Sequence, residues 1–276
     1  MGTDTCSASS FAAGEPLAGT ATSAHRWLLV EARGAWARDV DETELPARVR
    51  AAADGFDGRV QLIRRPDRRD DPQHAYVAES REDGGSLRGV DSLEDLGHGE
   101  PIDGPLLLVC CHGRRDPCCA RLGTPVFDAL RAHAADDAVW QSSHLGGHRF
   151  AANVLVLPDG LCFGRLVARA APTLVDALDE GQLPLEHLRG RTAFEPAQQA
   201  AEILVRRELG LTGLDDLRLP GVSGSEPQTV FELADGRRVA VRLHAEPLQT
   251  QRVSCRDEKV EAPTKWTLSE LVALSH

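Results

Sequence analysis

Four of the chain's seven cysteines fall within the eleven residues VCCHGRRDPCC, Val109 to Cys119, directly behind an apolar run. A disulfide framework spreads its cysteines along the chain, and a cysteine serving as a small hydrophobe is not set among arginines, a histidine and an aspartate. The fold must therefore gather several thiols around one strand end and the turn behind it. The chemistry open to such a cluster is a metal or cluster site, a redox thiol pair or a reactive nucleophile.

Around that cluster the sequence alternates strand and helix signals. Arg26–Glu31 (RWLLVE) reads as a buried strand, residues 44–56 have helical spacing, and residues 59–65 and 74–80 read as two more strands. Residues 81–104, charged and glycine-rich, read as a connector. The run 104–110 is a strand that delivers Cys110 to its carboxyl end. Helical spacing follows over 119–135, a strand over 138–143, a glycine-containing loop over 144–150, a hairpin turned at Asp159 and Gly160, and a closing helix over 172–181. A thioredoxin-like α/β fold accommodates that order. Beyond Gly190, a helix over 195–209 and a hairpin turned at Asp235 and Gly236 predict a small α+β module. The expected organisation is an N-terminal α/β segment (1–102), a thioredoxin-like domain (103–189) and a C-terminal α+β module (190–276), with no internal repeat.

Composition narrows the function. A chain of 276 residues that is 42% hydrophobic can bury a substantial core. Its first residues lack a basic start followed by an apolar run, and no later stretch approaches the ~18 apolar residues of a membrane helix, so the expectation is a cytoplasmic protein with no membrane partner. In that reducing setting clustered cysteines serve metals or redox chemistry more often than structural disulfides. With 42 acidic against 31 basic residues and a net charge of −11, a nucleic-acid partner is not expected. The acidity suits docking to a basic protein, or serves solubility alone.

The loop SSHLGGHRFAANV places His144 and His148 in an H-x3-H spacing, and Cys110 and Cys119 form C-x8-C. Two thiolates and two imidazoles at neighbouring strand ends suffice for zinc or a two-iron cluster. The segments VCCHGRRDPCCARLG and SSHLGGHRFAANVLVLPDGLCFGRL resemble the two signature regions of the sucrase/ferredoxin-like family, the thioredoxin-like [2Fe-2S] ferredoxins, and CSASSFAAGEPLAGTATSAHRWLLVE is similar to that family's amino-terminal region. The resemblance reaches to about residue 190. It implies a [2Fe-2S] cluster held by Cys110, Cys119, His144 and His148, and a protein that passes single electrons between a redox partner such as a reductase and another acceptor, a carrier rather than an enzyme. Each ligand cysteine here has a cysteine neighbour, so Cys111 and Cys118 stand as alternates. His112, Arg115 and Asp116 are expected to donate near the sulfurs or to fix the loop, with Asp116 capping a helix; an ordinary loop ion pair is the plainer role for Arg115. A structural zinc site on the same four residues is the leading alternative. A thiol redox protein lacks the C-x-x-C spacing it would use, and the glycoside hydrolysis in the family's name needs a carboxylate pair that no spacing reveals. Trp140 and Cys162 are expected in the core, and Cys6 and Cys255 receive no role.

Overall fold

The apolar runs pair into a nine-stranded mixed sheet in the computed structural model, which describes residues 5–67, 73–82, 84–220 and 228–274. In chain order, helix α1 (Cys6–Ala12) precedes β1 (Arg26–Glu31), α2 (Ala47–Gly55), β2 (Arg59–Arg64), β3 (Ala75–Arg81) and β4 (Gly84–Gly89). Next come β5 (Leu106–Cys110), α3 (Pro117–Arg131), β6 (Val139–Ser142), β7 (Val154–Leu157), β8 (Leu161–Phe163), α4 (Ala171–Asp179) and β9 (Leu188–Arg191). The remainder holds α5 (Pro196–Leu209), β10 (Leu217–Arg218), β11 (Gln228–Leu233), β12 (Arg238–Pro247), β13 (Gln251–Arg252), β14 (Val260–Glu261) and β15 (Thr264–Leu274). Among the described residues no helix is long and apolar enough to cross a membrane.

The strand order β4-β3-β1-β2-β6-β5-β7-β8-β9 contains one pattern twice. In the first half β1 and β2 are parallel, and β3 and then β4 add antiparallel beside β1. In the second half β5 and β6 are parallel, and β7 and then β8 add antiparallel beside β5. Each parallel pair is bridged by a helix, α2 or α3. The halves join through the antiparallel pair β2–β6, so one sheet runs continuously through the position expected as a boundary at residue 102. The repeat that no residue pattern displays is present in the topology. Residues 84–89, expected within a connector, are an edge strand instead: only Leu87 is buried, and an edge tolerates a polar, glycine-rich sequence that a central strand would not.

The sheet curls, so that its concave face becomes a shared core. Trp27, Leu29, Ile63 and Tyr76 of the first half meet Leu106, Leu108, Trp140 and Leu155 of the second in one buried cluster. Ser80 Oγ donates across the gap to the Pro158 carbonyl at 2.7 Å. On the outside, Val49 and Ala52 of α2 cover Leu28 and Val30, while Val126, Phe127 and Leu130 of α3 cover Leu107 and Val109. β5 is thus buried on both faces, which is why its sequence is apolar without alternation; each such leucine contributes roughly 1.5–3 kcal/mol by leaving water.

The C-terminal part forms its own sheet, β10-β11-β12-β15, with Phe231, Val239 and Val241 packed on Ala201 and Val205 of α5. The hairpin expected at Asp235 and Gly236 joins β11 to β12, and the long partner β15 was not apparent in the sequence. Between β12 and β15 the chain makes an excursion, carrying the small β13–β14 ribbon, that returns to the start of α3.

One ion network ties α5 to β9. Glu202, 1% exposed, accepts from Arg191 Nε at 2.9 Å and Arg206 Nε at 3.0 Å. Burial pushes its carboxyl up, but the two guanidiniums outweigh burial and hold it below the ordinary range. Glu202→Gln should therefore cost about 3–5 kcal/mol in urea unfolding, since two buried cations lose their counter-charge. The Glu202 contribution is present above the unfolded-state value of about 4.3 and lost as pH falls through the lower folded-state value. A Gln variant as stable as the parent at neutral pH would show that the network carries no net stabilisation.

Candidate metal centre

β5 and β6 run parallel, so the loops leaving both open at one edge of the sheet, the place where α/β folds build their sites. α3 starts at that edge. Asp116 caps it by accepting from the Cys118 N–H at 2.9 Å, and Pro117 takes the first helical position, where a missing N–H costs nothing. Gly123 allows close approach, since a Cβ there would lie 2.2 Å from the Cys110 carbonyl oxygen. Cys110, at the end of β5, and Cys119, in the first turn of α3, are brought together in this way.

His144 Nδ1 lies 3.8 Å from Cys110 Sγ and 3.7 Å from Cys119 Sγ, and the three donor atoms sit within 4.8 Å of one another. The neighbouring Cys119 thiol, followed by His144 and the Leu145 N–H, holds Cys110 well below an ordinary thiol against the effect of burial. Cys119 is correspondingly held well above it. Within the pair the charge is thus favoured on Cys110, and the thiolate is the form that ligates a metal. His148 stands outside that compact trio, its ring centroid 5.1 Å from that of His144. Both its ring nitrogens are buried and make no hydrogen bond of ordinary geometry among the described residues, although the Val253 backbone lies close enough to act on the ring, and Nε2 is 3.9 Å from Asp116 Oδ2. Burial and the adjacent His144 hold this imidazole below its usual value, the opposing pulls of Asp116 and the Val253 backbone being weaker. Held low in this way, the imidazole is set towards its neutral form, the form in which a histidine binds a metal.

The alternates turn elsewhere. Cys111 points to the outer core beneath α3, where burial, with the charge on Cys110, pushes it up to about 12. Cys118 points to Cys6 and Cys255, at 3.6 and 3.5 Å. His112 braces the loop from outside: its Nε2–H donates to the Ala37 carbonyl at 2.7 Å, and its ring meets Trp36 edge-on at 5.6 Å. Arg115 pairs with Asp39, an ordinary loop ion pair. Trp140 and Cys162 are core residues, as expected.

The glycine turn read from the sequence is fixed by Arg189, Asn153 and Arg59, residues that carry no spacing signal there. Gly146 and Gly147 hold φ of 95° and 69° between the two histidines, and a Cβ on Gly147 would meet Arg189 at 2.4 Å. Arg189, 1% exposed, donates to the Gly146 carbonyl at 3.1 Å and Asn153 Oδ1 at 2.8 Å, while Asn153 Nδ2 donates to the Gly147 carbonyl at 2.9 Å. On the other side Arg59 donates to the His144 carbonyl at 2.9 Å. The histidine loop is clamped by two buried or half-buried cations.

Residues 17–190, well over half of the chain, match the sucrase/ferredoxin-like family. The chain belongs to that family. The four-residue constellation and both halves of the curled sheet lie inside the family region, whereas Cys6 and Cys255 lie outside it. Among curated proteins, the chain is 32% identical over 120 residues to Altered inheritance of mitochondria protein 32 of Eremothecium gossypii, covering 38% of each chain. Its counterparts of the same name in Clavispora lusitaniae and Candida glabrata are 32% and 28% identical, over 33% and 30% of this chain and 37% and 31% of theirs. The matched stretch thus spans between 31% and 38% of these relatives' own length. No solved structure matches.

Proposed function

We propose that the protein is a one-electron carrier with a [2Fe-2S] cluster, built into a thioredoxin-like unit formed by β5, α3, β6, β7, β8 and α4. Cys110 and Cys119 would hold one iron, and His144 and His148 the other. The observation that carries this reading is the gathering of the buried Cys110 and Cys119 sulfurs with His144 within 4.8 Å of one another, beside a His148 whose two buried ring nitrogens make no hydrogen bond of ordinary geometry among the described residues. Such a donor set, bound to iron and sulfide, supplies one-electron chemistry at a potential above that of an all-cysteine cluster. The protein's own part is to exclude water and place charge. Cys110 and Cys119 are buried, the Leu145 N–H faces the Cys110 sulfur, and Arg59 and Arg189 add positive charge near it. His144 and His148, each only partly buried, are the members of the set nearest solvent and so the exit for an electron towards a docked reductase or acceptor. The seven cysteines are all free, consistent with a reducing compartment such as the cytoplasm.

A mononuclear zinc site is the competing reading, favoured by the tight spacing of Cys110, Cys119 and His144, which suits ligands around a single ion. Anaerobic purification separates the two. The proposal expects a reddish protein with iron and acid-labile sulfide in equal amounts and an electron paramagnetic resonance signal on reduction. Colourless protein that stays so after reconstitution with iron and sulfide would overturn it.

A further inference from the structure

Cys118, left out of the first centre, is the middle of a second one. We propose that Cys6, Cys118, Cys255 and Asp116 bind a zinc ion that is separate from the electron-transfer site and fastens both ends of the chain to α3.

The three sulfurs form a nearly equilateral triangle, Cys6 to Cys118 3.6 Å, Cys118 to Cys255 3.5 Å and Cys255 to Cys6 3.5 Å. The Asp116 carboxylate oxygens lie 3.8 and 3.9 Å from Cys6 Sγ, and one donor atom from each of the four residues falls within 4.8 Å of the others. Tetrahedral zinc with Zn–S bonds of about 2.3 Å spaces its sulfurs about 3.7–3.8 Å apart, so the triangle needs to open by only about 0.2 Å. An ion at that bond length would sit about 1 Å out of the sulfur plane, leaving the fourth position to the carboxylate. A disulfide uses two sulfurs and strands the third. Three mutually equidistant sulfurs with an acid beside them suit one acceptor common to all.

The surroundings are organised for such an ion. Cys6, Asp116 and Cys118 are buried, and half-buried Cys255 leaves a way in. The Cys6 N–H donates to Cys255 Sγ at 3.2 Å. The Asp116 carboxylate is oriented by the Cys118 N–H at 2.9 Å, the Cys255 N–H at 2.8 Å and Ser254 Oγ at 3.3 Å. Donors of this kind steady thiolates and aim a ligating carboxylate. Binding would release the remaining thiol protons to solvent, with no change of oxidation state. Cys6 opens α1, Cys118 lies in the first turn of α3 and Cys255 sits on the excursion between β12 and β15. One ion would therefore close loops that span nearly the whole chain, making its binding energy folding energy for the two ends.

Elemental analysis of the full chain, purified without chelator, tests the proposal together with zinc-edge X-ray absorption. About one zinc per chain with three sulfur ligands near 2.3 Å is expected in the parent protein. Zinc should persist in Cys110→Ser, and in Cys6→Ser and Cys255→Ser it should fall to near zero while the visible absorption of the first centre remains. Parent protein without zinc after zinc supplementation, zinc that disappears with Cys110 but not with Cys6, or a disulfide joining two of the three cysteines in the native protein would each overturn it. The absorption measurement needs no variant, so a variant that fails to fold does not blunt the test.

Discussion

Cys110→Ser and Cys119→Ser should each abolish iron binding and visible absorption, whereas Cys111→Ser and Cys118→Ser should retain both. Serine is a hard, weakly acidic ligand where the site presents soft thiolates, so one replacement removes half of the sulfur set. Cys111 lies on the opposite face of the strand end, beneath α3, and its replacement buries a hydroxyl in an apolar cluster at a cost of about 1–3 kcal/mol without touching a ligand. Cys118→Ser should strip zinc and leave the colour. Iron and sulfide assays with absorption spectra on the four variants measure this. If Cys118→Ser bleaches the protein and Cys119→Ser does not, the ligand register is off by one residue.

The vicinal cysteines show what residue order conveys and where it stops. Neighbours on an extended strand project to opposite faces, so Cys110 and Cys111 could not both join one site, and the burial set of Leu106, Leu108 and Cys110 decides which does. That set is defined by the partner half of the curled sheet, and the sequence of β5 alone, apolar on both faces, is silent about it. The strand end, the Asp116 cap and the glycine turn between the histidines were legible because each is a local device with its own residue chemistry. β4 and β9 were not: their residues are charged or glycine-rich, and they are strands because a neighbour offers a free edge. Cys6 and Cys255 are 249 residues apart, and no spacing rule connects ligands drawn from two ends of a chain. The doubled topology is equally mute, since hydrogen-bond pairing is a backbone property that two halves share while filling their cores with different side chains.

Arg189→Met should release the histidine loop, with loss of the first centre and a drop in stability of about 3 kcal/mol or more. Among the described residues this side chain has no carboxylate partner. Its cost of burial is offset by a set of acceptors that lie far apart in sequence: the Thr20 carbonyl and Oγ1, the Gly146 carbonyl and Asn153 Oδ1. Methionine fills much of the same space but takes the donor from buried Asn153 Oδ1 and from the partly buried Thr20 and Gly146 acceptors, and a buried group left so costs about 1–3 kcal/mol. The positive φ of Gly147 is the backbone shape that admits the guanidinium, so the loop loses the group around which it is folded. His144 and His148 flank that turn and would lose their common orientation. Arg189→Lys should recover little, because a single ammonium cannot reach acceptors arranged for a planar fork. Thermal unfolding, read beside iron content and the spectrum, separates a structural effect from one on the centre. Folded Met variant with unchanged iron and an unchanged midpoint would mean that Arg59 and the glycines hold the histidine loop without it.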